Sequence, residues 1–308
     1  MNDPLLTLFT APKPFTDPHI AVIQRNALNS WKALGKEVKL LVFGKDDGIA
    51  ENMRDLGICH FPEVRCNPYG TPLINSMLSM TREASDSPFL GIINSDILLF
   101  PDVLPALQAV SEKLKKFLLV GQRWDMEVND TIEEPDQFLQ LKREITAKAI
   151  IHPPMGSDYF IFPRACYQEI PEFAIGRAGW DNWFIYKSRF ERWPVIDCTH
   201  DIKIIHQNHD YRHLPGGKPH YRLPETKENV AKGGGEHTIF TLFDAQFNLV
   251  DGKLKRKPIV WRKILREIEI SPTTLLRSQF FGRLFFFAAN PKKAYAEIRK
   301  SINLSRNS

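Results

Sequence analysis

The chain has 308 residues, of which 43% are hydrophobic and 25% are charged, as in ordinary globular proteins. No apolar run approaches the roughly 20 residues that a membrane-spanning helix needs, so the sequence predicts no such helix. The N-terminal residues lack the basic and apolar pattern of a signal peptide, and the four cysteines show neither paired nor metal-ligand spacing. These features together predict a cytoplasmic protein with reduced thiols.

The net charge of +5 is unevenly distributed along the chain. Residues 253–308 contain 14 Lys and Arg against 3 Glu, whereas residues 1–252 contain 27 basic and 33 acidic residues. The C-terminal segment therefore carries +11 and the rest of the chain −6. A basic tail on an acidic body predicts an anionic surface as a partner for the tail, and the acidic body argues against a nucleic-acid partner.

Strand-like and helix-like segments alternate over the first 120 residues. Leu5–Thr10 predicts a first strand, and the wholly apolar run Phe89–Ile93 predicts a strand buried on both faces. Asp17-Pro18 predicts the start of a helix that ends at Gly35, with an aspartate cap and a proline in the first turn. The alternation predicts an α/β fold with a Rossmann-like, mostly parallel central sheet. The predicted segments are strand 5–10, helix 18–34, strand 37–43, helix 46–56, strand 58–61, a helix opening at Thr71-Pro72, strand 89–93, helix 101–116 and strand 117–120.

The pattern is weaker after residue 120. Strands are predicted at Asp158–Pro163 and Val195–His206, and a helix is predicted at Asp181–Phe190. Residues 207–237 are rich in Gly, Pro and His and are predicted to form loops.

The polar triplet Asn94-Ser95-Asp96 directly follows the predicted buried strand Phe89–Ile93. A carboxylate at the carboxyl end of a central parallel strand lies where open α/β sheets bind their ligands. Such an aspartate suits a divalent metal that holds a diphosphate. A helix-capping turn is an equally good reading of these three residues alone.

Three further clusters carry candidate chemistry. Gly156-Ser157-Asp158 combines small residues that let a substrate approach the backbone, although an Asx turn explains it equally well. Asp181 lies between Trp180 and Trp183, whose apolar surface raises the pKa of a carboxyl group and suits a general base; it could instead cap the next helix. His206 and His209 follow a predicted strand, and with Asp96 they suit Mg²⁺ or Mn²⁺ completed by a diphosphate and water.

In this order the four motifs resemble those of glycosyltransferases of the GT-A fold, and the chain is similar to the family 2-like enzymes over residues 5–245. The resemblance implies a single GT-A-like catalytic domain at 1–252, with a nucleotide-binding half at 1–120 and an acceptor half at 121–252. It implies sugar transfer from a nucleotide diphosphate sugar to a hydroxyl acceptor, with a UDP-sugar as the expected donor. The expected cofactor is Mn²⁺ or Mg²⁺. It also implies inversion at the anomeric carbon, with Asp181 as the base.

The resemblance assigns roles to residues of this chain. Asn94, Ser95 and Asp96 match the D-x-D motif, with Asn94 in place of its first aspartate, and His206 or His209 matches the metal-binding histidine. The expected donor-binding residues are Thr10, Ala11, Pro12, Gly44, Asp46, Asn94, Ser95 and Asp96. The expected acceptor-binding residues are Gly156, Ser157, Asp158, Trp180 and Asn182, and the expected metal ligands are Asp96, His206 and His209.

Two alternatives from other classes of protein remain open. A nucleotidyltransferase that makes sugar nucleotides should carry a glycine- and arginine-rich loop after the first strand, whereas this chain has Ala11-Pro12-Lys13-Pro14. A non-catalytic, membrane-associated binding protein of the same fold would account for the basic tail and for Asn94.

The predicted C-terminal extension, 253–308, mixes basic and aromatic residues over 259–300, with phenylalanines at 280, 281, 285, 286 and 287. One interpretation is a helical hairpin that packs these rings on the catalytic domain. The other is peripheral attachment to the inner face of a membrane, with apolar side chains inserted and cations on anionic headgroups.

Overall fold

The computed structural model describes residues 3–209, 223–295 and 299. These residues form thirteen strands and nine α-helices. The strands are β1 Leu6–Thr10, β2 Val38–Phe43, β3 Cys59–Phe61, β4 Phe89–Ile93, β5 Ile97–Leu99, β6 Leu118–Val120, β7 Trp124–Met126, β8 Ile150–Ile151, β9 Tyr159–Pro163, β10 Val195–Asp197, β11 Ile204–Gln207, β12 Phe247–Val250 and β13 Lys253–Arg256. The helices are α1 Pro18–Lys32, α2 Ile49–Leu56, α3 Ile74–Ala84, α4 Val103–Ser111, α5 Pro135–Lys148, α6 Trp180–Phe190, α7 Pro224–Lys232, α8 Trp261–Thr274 and α9 Gln279–Ala289.

The larger sheet has nine strands in the spatial order β13-β12-β10-β6-β9-β4-β1-β2-β3. Its β3-β2-β1-β4 part is parallel throughout, while β9 runs antiparallel to both β4 and β6, and β13 antiparallel to β12. The predicted α/β class with a mostly parallel, Rossmann-like central sheet is confirmed.

Two apolar layers enclose this sheet. Along β1, Leu6 and Leu8 point into one layer and Phe9 into the other, as the two-residue period of a strand requires. Residues of α1, α2 and α4 contribute to the first layer, and residues of α3 and α6 to the second. Burial on both faces explains why all five residues of β1 are buried and why β4 is apolar throughout.

A second sheet has the order β5-β11-β7-β8. It packs with α5 around its own apolar cluster, which includes Phe100, Phe138 and Ile205. β5 begins immediately after Asp96, so this small sheet continues directly from the end of β4.

Several predicted boundaries were wrong. The predicted strand Val195–His206 is two strands, β10 and β11, because Asp197 Oδ1 accepts a hydrogen bond from the Thr199 backbone N–H and turns the chain. The predicted loop 207–237 contains α7, which begins at Pro224 in the position that proline favours. The predicted helix 101–116 spans only Val103–Ser111, and residues 210–222 of the predicted loop lie outside the described residues.

The predicted extension begins within a β-hairpin, because β12 and β13 are joined by the turn at Asp251 and Gly252. Its helical part starts at Trp261 and comprises α8 and α9, which pack on each other. In the described part of the chain, no helix combines the length and apolar character needed to cross a bilayer.

Candidate functional site

Three strand ends meet at one edge of the larger sheet. β1 and β4 are parallel neighbours, and the chain leaves them at Thr10 and at Asn94-Ser95-Asp96. β9 is antiparallel and pairs its first residue, Tyr159, with Ile93 at the end of β4, so Asp158 enters at the same edge. Because β1 lies between β2 and β4, the strand order reverses here, and open α/β sheets bind ligands at such a point.

The small sheet brings the two predicted histidines to this edge. β11 pairs antiparallel with β5, with His206 opposite Ile97, and the Gln207 backbone N–H donates to the Asp96 carbonyl at 3.2 Å. The potential ligand atoms of Asp96, His206 and His209 all lie within 4.8 Å of one another. We call these three residues the ligand cluster.

The Asp96 carboxylate has the features of a cation ligand. It is 8% exposed, and its Oδ2 lies 3.3 Å from Lys13 Nζ and 3.2 Å from His209 Nε2. Its Oδ1 is buried without a hydrogen-bond partner in the described part of the chain. Burial raises the pKa of Asp96, but Lys13 and the two histidines outweigh this effect and hold the pKa well below its ordinary value. An ionised, buried oxygen without a donor beside two imidazoles fits a divalent cation.

Asp125 lies beside His206 on the neighbouring strand β7. The His206 Nδ1 atom lies 3.1 Å from one oxygen of Asp125, and His152 Nδ1 lies 2.7 Å from the other. Arg123 Nε also donates to Asp125, at 2.9 Å. The His206–Asp125 contact lacks hydrogen-bond geometry, but a carboxylate this close to an imidazole is an arrangement common around metal-binding histidines, where it orients the ring.

Asn94 is engaged with Asp158 rather than with the ligand cluster. Its Nδ2 donates to Asp158 Oδ1 at 2.7 Å, and Arg123 NH1 donates to both oxygens of Asp158 at 3.1 and 2.9 Å. Asp158 is 5% exposed, and Arg123 pairs with it in this buried position. An aspartate at position 94 would face the Asp158 carboxylate, which gives a physical reason for the asparagine.

The Asp181 carboxyl group lies in the first turn of α6, with Oδ1 accepting from the Gly179 backbone N–H at 2.9 Å. Burial, the largest effect, raises its pKa to about 6, and the Asp158 charge adds to the rise, while backbone N–H groups oppose it. Its neighbour Trp180 packs on Phe160, the second residue of β9, and so lies next to the edge at which Asp158 enters. A carboxyl group of this acidity is ionised at neutral pH and more basic than an ordinary aspartate.

The loop before Asp181 is held by α7. Asn229, which is 1% exposed, exchanges hydrogen bonds with the backbone of Ala174 and also donates to the Arg177 carbonyl. Gly179 has φ +107°, and a Cβ there would meet Val230 Cγ2 at 3.0 Å, so glycine is required on both grounds. The helix thus fixes the approach of the chain to Asp181.

The predicted acceptor-binding residues divide into two groups. Trp180 is 3% exposed with its ring 5.0 Å from that of Phe160, and Asn182 Nδ2 donates to the Phe240 carbonyl, so both take part in packing and support. Gly156 lies against His152, whose ring carbon a Cβ would approach to 2.9 Å. Ser157 is 8% exposed and lies next to Asp158.

Five of the predicted donor-binding residues lie at the ends of β1 and β2, and the other three follow β4. Thr10 is buried, and its Oγ1 has no hydrogen-bond partner within the described ranges. Pro12 is buried, Ala11 is half-buried, and Gly44 accepts at its carbonyl from His60 Nε2 at 2.7 Å. Asp46 has an exposed side chain. Its pKa is raised, first by the partial desolvation of the carboxyl group and then by the Asp47 charge. Since β1 and β2 are parallel neighbours, these loops share one edge.

Sequence reasoning missed Lys13, Arg123 and Asp125. Lys13 is held by Gln24, which accepts from its backbone N–H at 2.6 Å, donates to its carbonyl at 2.9 Å and accepts from Ser95 Oγ at 3.1 Å. Its position directly after the first strand was an available signal, because that loop borders the predicted site. Arg123 and Asp125 gave no such signal, since the strand β7 was not predicted.

Comparisons with known proteins find structural likeness only. No protein-family model matches the chain, and no curated protein matches it. Among solved structures, the chain is similar to glucosyl-3-phosphoglycerate synthase of M. tuberculosis, with 15% identity, 75% of this chain and 81% of that chain covered, and a TM-score of 0.46. It is also similar to a mannosyltransferase of Pyrobaculum calidifontis in complex with GDP-Man and Mn²⁺, with 15% identity, coverage of 66% and 57%, and a TM-score of 0.41.

A further structure of the M. tuberculosis synthase, in complex with Mn²⁺, UDP and glucosyl-3-phosphoglycerate, is 14% identical, with 84% and 88% covered and a TM-score of 0.41. These neighbours are glycosyltransferases, the class that the sequence motifs resemble. All three TM-scores lie below 0.5, so the function below is argued from the site itself.

Proposed function

We propose that the protein is a glycosyltransferase that moves a sugar from a nucleotide diphosphate sugar to a hydroxyl acceptor with the help of a divalent cation. The observation that carries the proposal is the ligand cluster. It is a buried carboxylate, one oxygen of which has no partner among the described residues, beside two histidines at the point where the strand order reverses.

The donor set favours Mn²⁺ over Mg²⁺. Asp96, His206 and His209 supply one oxygen and two imidazole nitrogens, whereas Mg²⁺ prefers oxygen ligands and releases its water reluctantly. Three protein ligands leave coordination positions for the two phosphates. When bound, the cation neutralises the charge that develops on the departing diphosphate.

Lys13 adds a positive charge beside the ligand cluster. Lys13 Nζ lies 3.3 Å from Asp96 and 3.0 Å from His209, so an ammonium group borders the ligand cluster. An anionic diphosphate there would meet Lys13 as well as the cation. The Thr10 hydroxyl, which lacks a partner in the described chain, and Asp46 would contact the nucleoside, and a UDP-sugar is the proposed donor.

We assign the acceptor side to Asp181. Its pKa of about 6 lets it take the proton of an acceptor hydroxyl at neutral pH, while burial keeps it more basic than an exposed aspartate. Attack on the side opposite the leaving diphosphate would invert the anomeric carbon. We place the acceptor beside Gly156, Ser157 and Asp158, at the edge of the sheet where β9 begins.

The test is calorimetric titration of the full chain with UDP, GDP and CDP, each with Mn²⁺, with Mg²⁺ and with EDTA. The proposal expects one diphosphate to bind with Mn²⁺ and to lose at least tenfold in affinity with EDTA. Asp96→Asn should show the same loss without any chelator. Equal affinity in all three buffers would contradict a metal-held diphosphate. Turnover with a panel of sugar nucleotides then identifies the sugar.

A further inference from the structure

Large apolar side chains are concentrated on the surface near the C-terminus. Nineteen of them are exposed in the described part of the chain, and twelve of these lie between residues 259 and 285. They include Ile259 at 81%, Trp261 at 70%, Leu276 at 67% and Phe280 at 73% exposure. Contiguous exposed apolar surface on a globular protein indicates an interaction site.

The first two turns of α8 present their polar face to the protein. Lys263 donates to the Phe243 carbonyl at 2.6 Å, Arg266 pairs with Asp244 at 2.8 Å, and Glu267 pairs with Arg189 at 2.7 Å, whereas Ile270 in the third turn is buried in the apolar core. These contacts orient the helix by satisfying buried carbonyl and carboxylate groups.

The opposite stripe of α8 is apolar and faces solvent. Trp261, Ile264, Leu265 and Ile268 follow the i, i+3, i+4, i+7 spacing of one helix face, and all four are exposed. The stripe is therefore largely open to solvent in the described chain, although the same spacing in a globular helix normally faces the core.

The next helix repeats this arrangement. Phe280, Phe281, Leu284 and Phe285 of α9 are exposed at 44–73%, while Phe286 is buried. Gly282 lets α9 cross α8 closely, because a Cβ there would lie 2.2 Å from Thr273 Oγ1. The close crossing fixes α9 on α8, so its exposed rings are presented by an anchored helix.

Charge selects the kind of partner. Lys255, Arg256 and Arg262 are exposed and flank the exposed Ile259 and Trp261 in sequence. Residues 253–308 carry +11, whereas residues 1–252 carry −6. Apolar insertion together with cations is the combination that holds interfacial helices on anionic bilayers, and tryptophan favours the depth of the headgroups.

We infer that α8, α9 and the segment before them, residues 259–285, form a docking surface for an anionic lipid bilayer. The apolar stripes enter the headgroup region, and the neighbouring cations contact acidic headgroups. A second copy of the chain would cover the apolar stripe but would bring the same positive charge with it, which disfavours that occupant.

The test uses sedimentation of the full chain with vesicles of phosphatidylcholine alone or with 30% phosphatidylserine. The inference expects binding to the anionic vesicles, weakened by salt, and at least roughly tenfold lower binding for Trp261→Asp/Phe280→Asp. Ile150→Asp is the matched control, because Ile150 is 76% exposed but lies in the small sheet, and it should bind as the parent does. Lys255→Glu/Arg262→Glu should lower binding to the vesicles that contain phosphatidylserine and leave binding to those of phosphatidylcholine unchanged.

Fluorescence gives an independent readout of insertion. Trp261 is 70% exposed, whereas Trp31, Trp180 and Trp183 are buried. Brominated lipids should quench a fraction of the emission, and Trp261→Phe should remove that fraction. Absence of binding to anionic vesicles, or binding that the double apolar variant leaves unchanged, overturns the inference. A dimer in lipid-free solution that this variant dissociates would instead assign the surface to a second copy.

Discussion

Asp181→Asn probes the proposed base through stability and activity at once. The asparagine keeps an oxygen that can accept from the Gly179 backbone N–H, so the local turn is preserved. The substitution removes the group whose pKa burial raises from 3.8 to about 6. A rise of about two pKa units corresponds to about 3 kcal/mol that the ionised carboxyl costs the folded state. Asp181 is half-buried, and solvent screening reduces this to about 1–2 kcal/mol.

The sign of the effect follows from the raised pKa. The native protein binds the Asp181 proton more tightly than the unfolded chain, so the stabilisation that this proton provides is complete below pH 4 and is lost as pH rises through about 6. Asp181→Asn should therefore be more stable than the parent at pH 7.5 and equally stable at pH 3.5. Urea unfolding at both values measures the difference.

Activity should change in the opposite direction. Without the base, sugar transfer is expected to fall by about 10²–10⁴-fold while nucleotide binding is retained. In the parent, kcat/KM should rise with pH through about 6. Asp86→Asn is a control, because Asp86 has an exposed side chain and lies at the amino end of β4, opposite the site. Full activity in Asp181→Asn, or a stability difference that does not vary with pH, would refute the reasoning.

Three further substitutions test the ligand cluster and its support. Asp96→Asn is expected to weaken Mn²⁺ binding at least tenfold in calorimetric titration, because an amide replaces the carboxylate of the cluster. Asp125→Asn should weaken it by about 10–100-fold without removing a ligand, because His206 loses the carboxylate that orients it. Asn94→Asp should lower the free energy of unfolding by about 1.5–3 kcal/mol, since its charge would face Asp158; urea unfolding measures it.

The outcomes that contradict these expectations are specific. Unchanged Mn²⁺ affinity in Asp96→Asn would exclude this cluster as the metal site, and an unchanged affinity in Asp125→Asn would exclude an orienting role. A more stable Asn94→Asp protein would show that the Asp158 pocket accepts a second carboxyl group. Asp86→Asn should alter none of the three measurements.

The local pattern of the sequence determined much of the backbone of residues 1–120. The runs of β1 and β4 follow from burial on both faces. The Asp17 side chain accepts hydrogen bonds from the backbone N–H groups of His19 and Ile20, as an N-cap requires. Burial raises the pKa of Asp181 in the direction that its two tryptophan neighbours suggested. Such features are readable because their causes lie within a few residues of each other.

The tertiary structure alone decided which distant groups meet. Lys13 reaches Asp96 across 83 positions because β1 and β4 are neighbours, and Asp125 reaches His206 because β7 pairs with β11. Spacing in the sequence contains no information on strand order. The same limit applies to α8, whose amphipathic spacing predicts a helix but not which face meets the protein. The buried carbonyl and carboxylate groups of residues 243–245 decided that, by binding its charged side and leaving the apolar side in solvent.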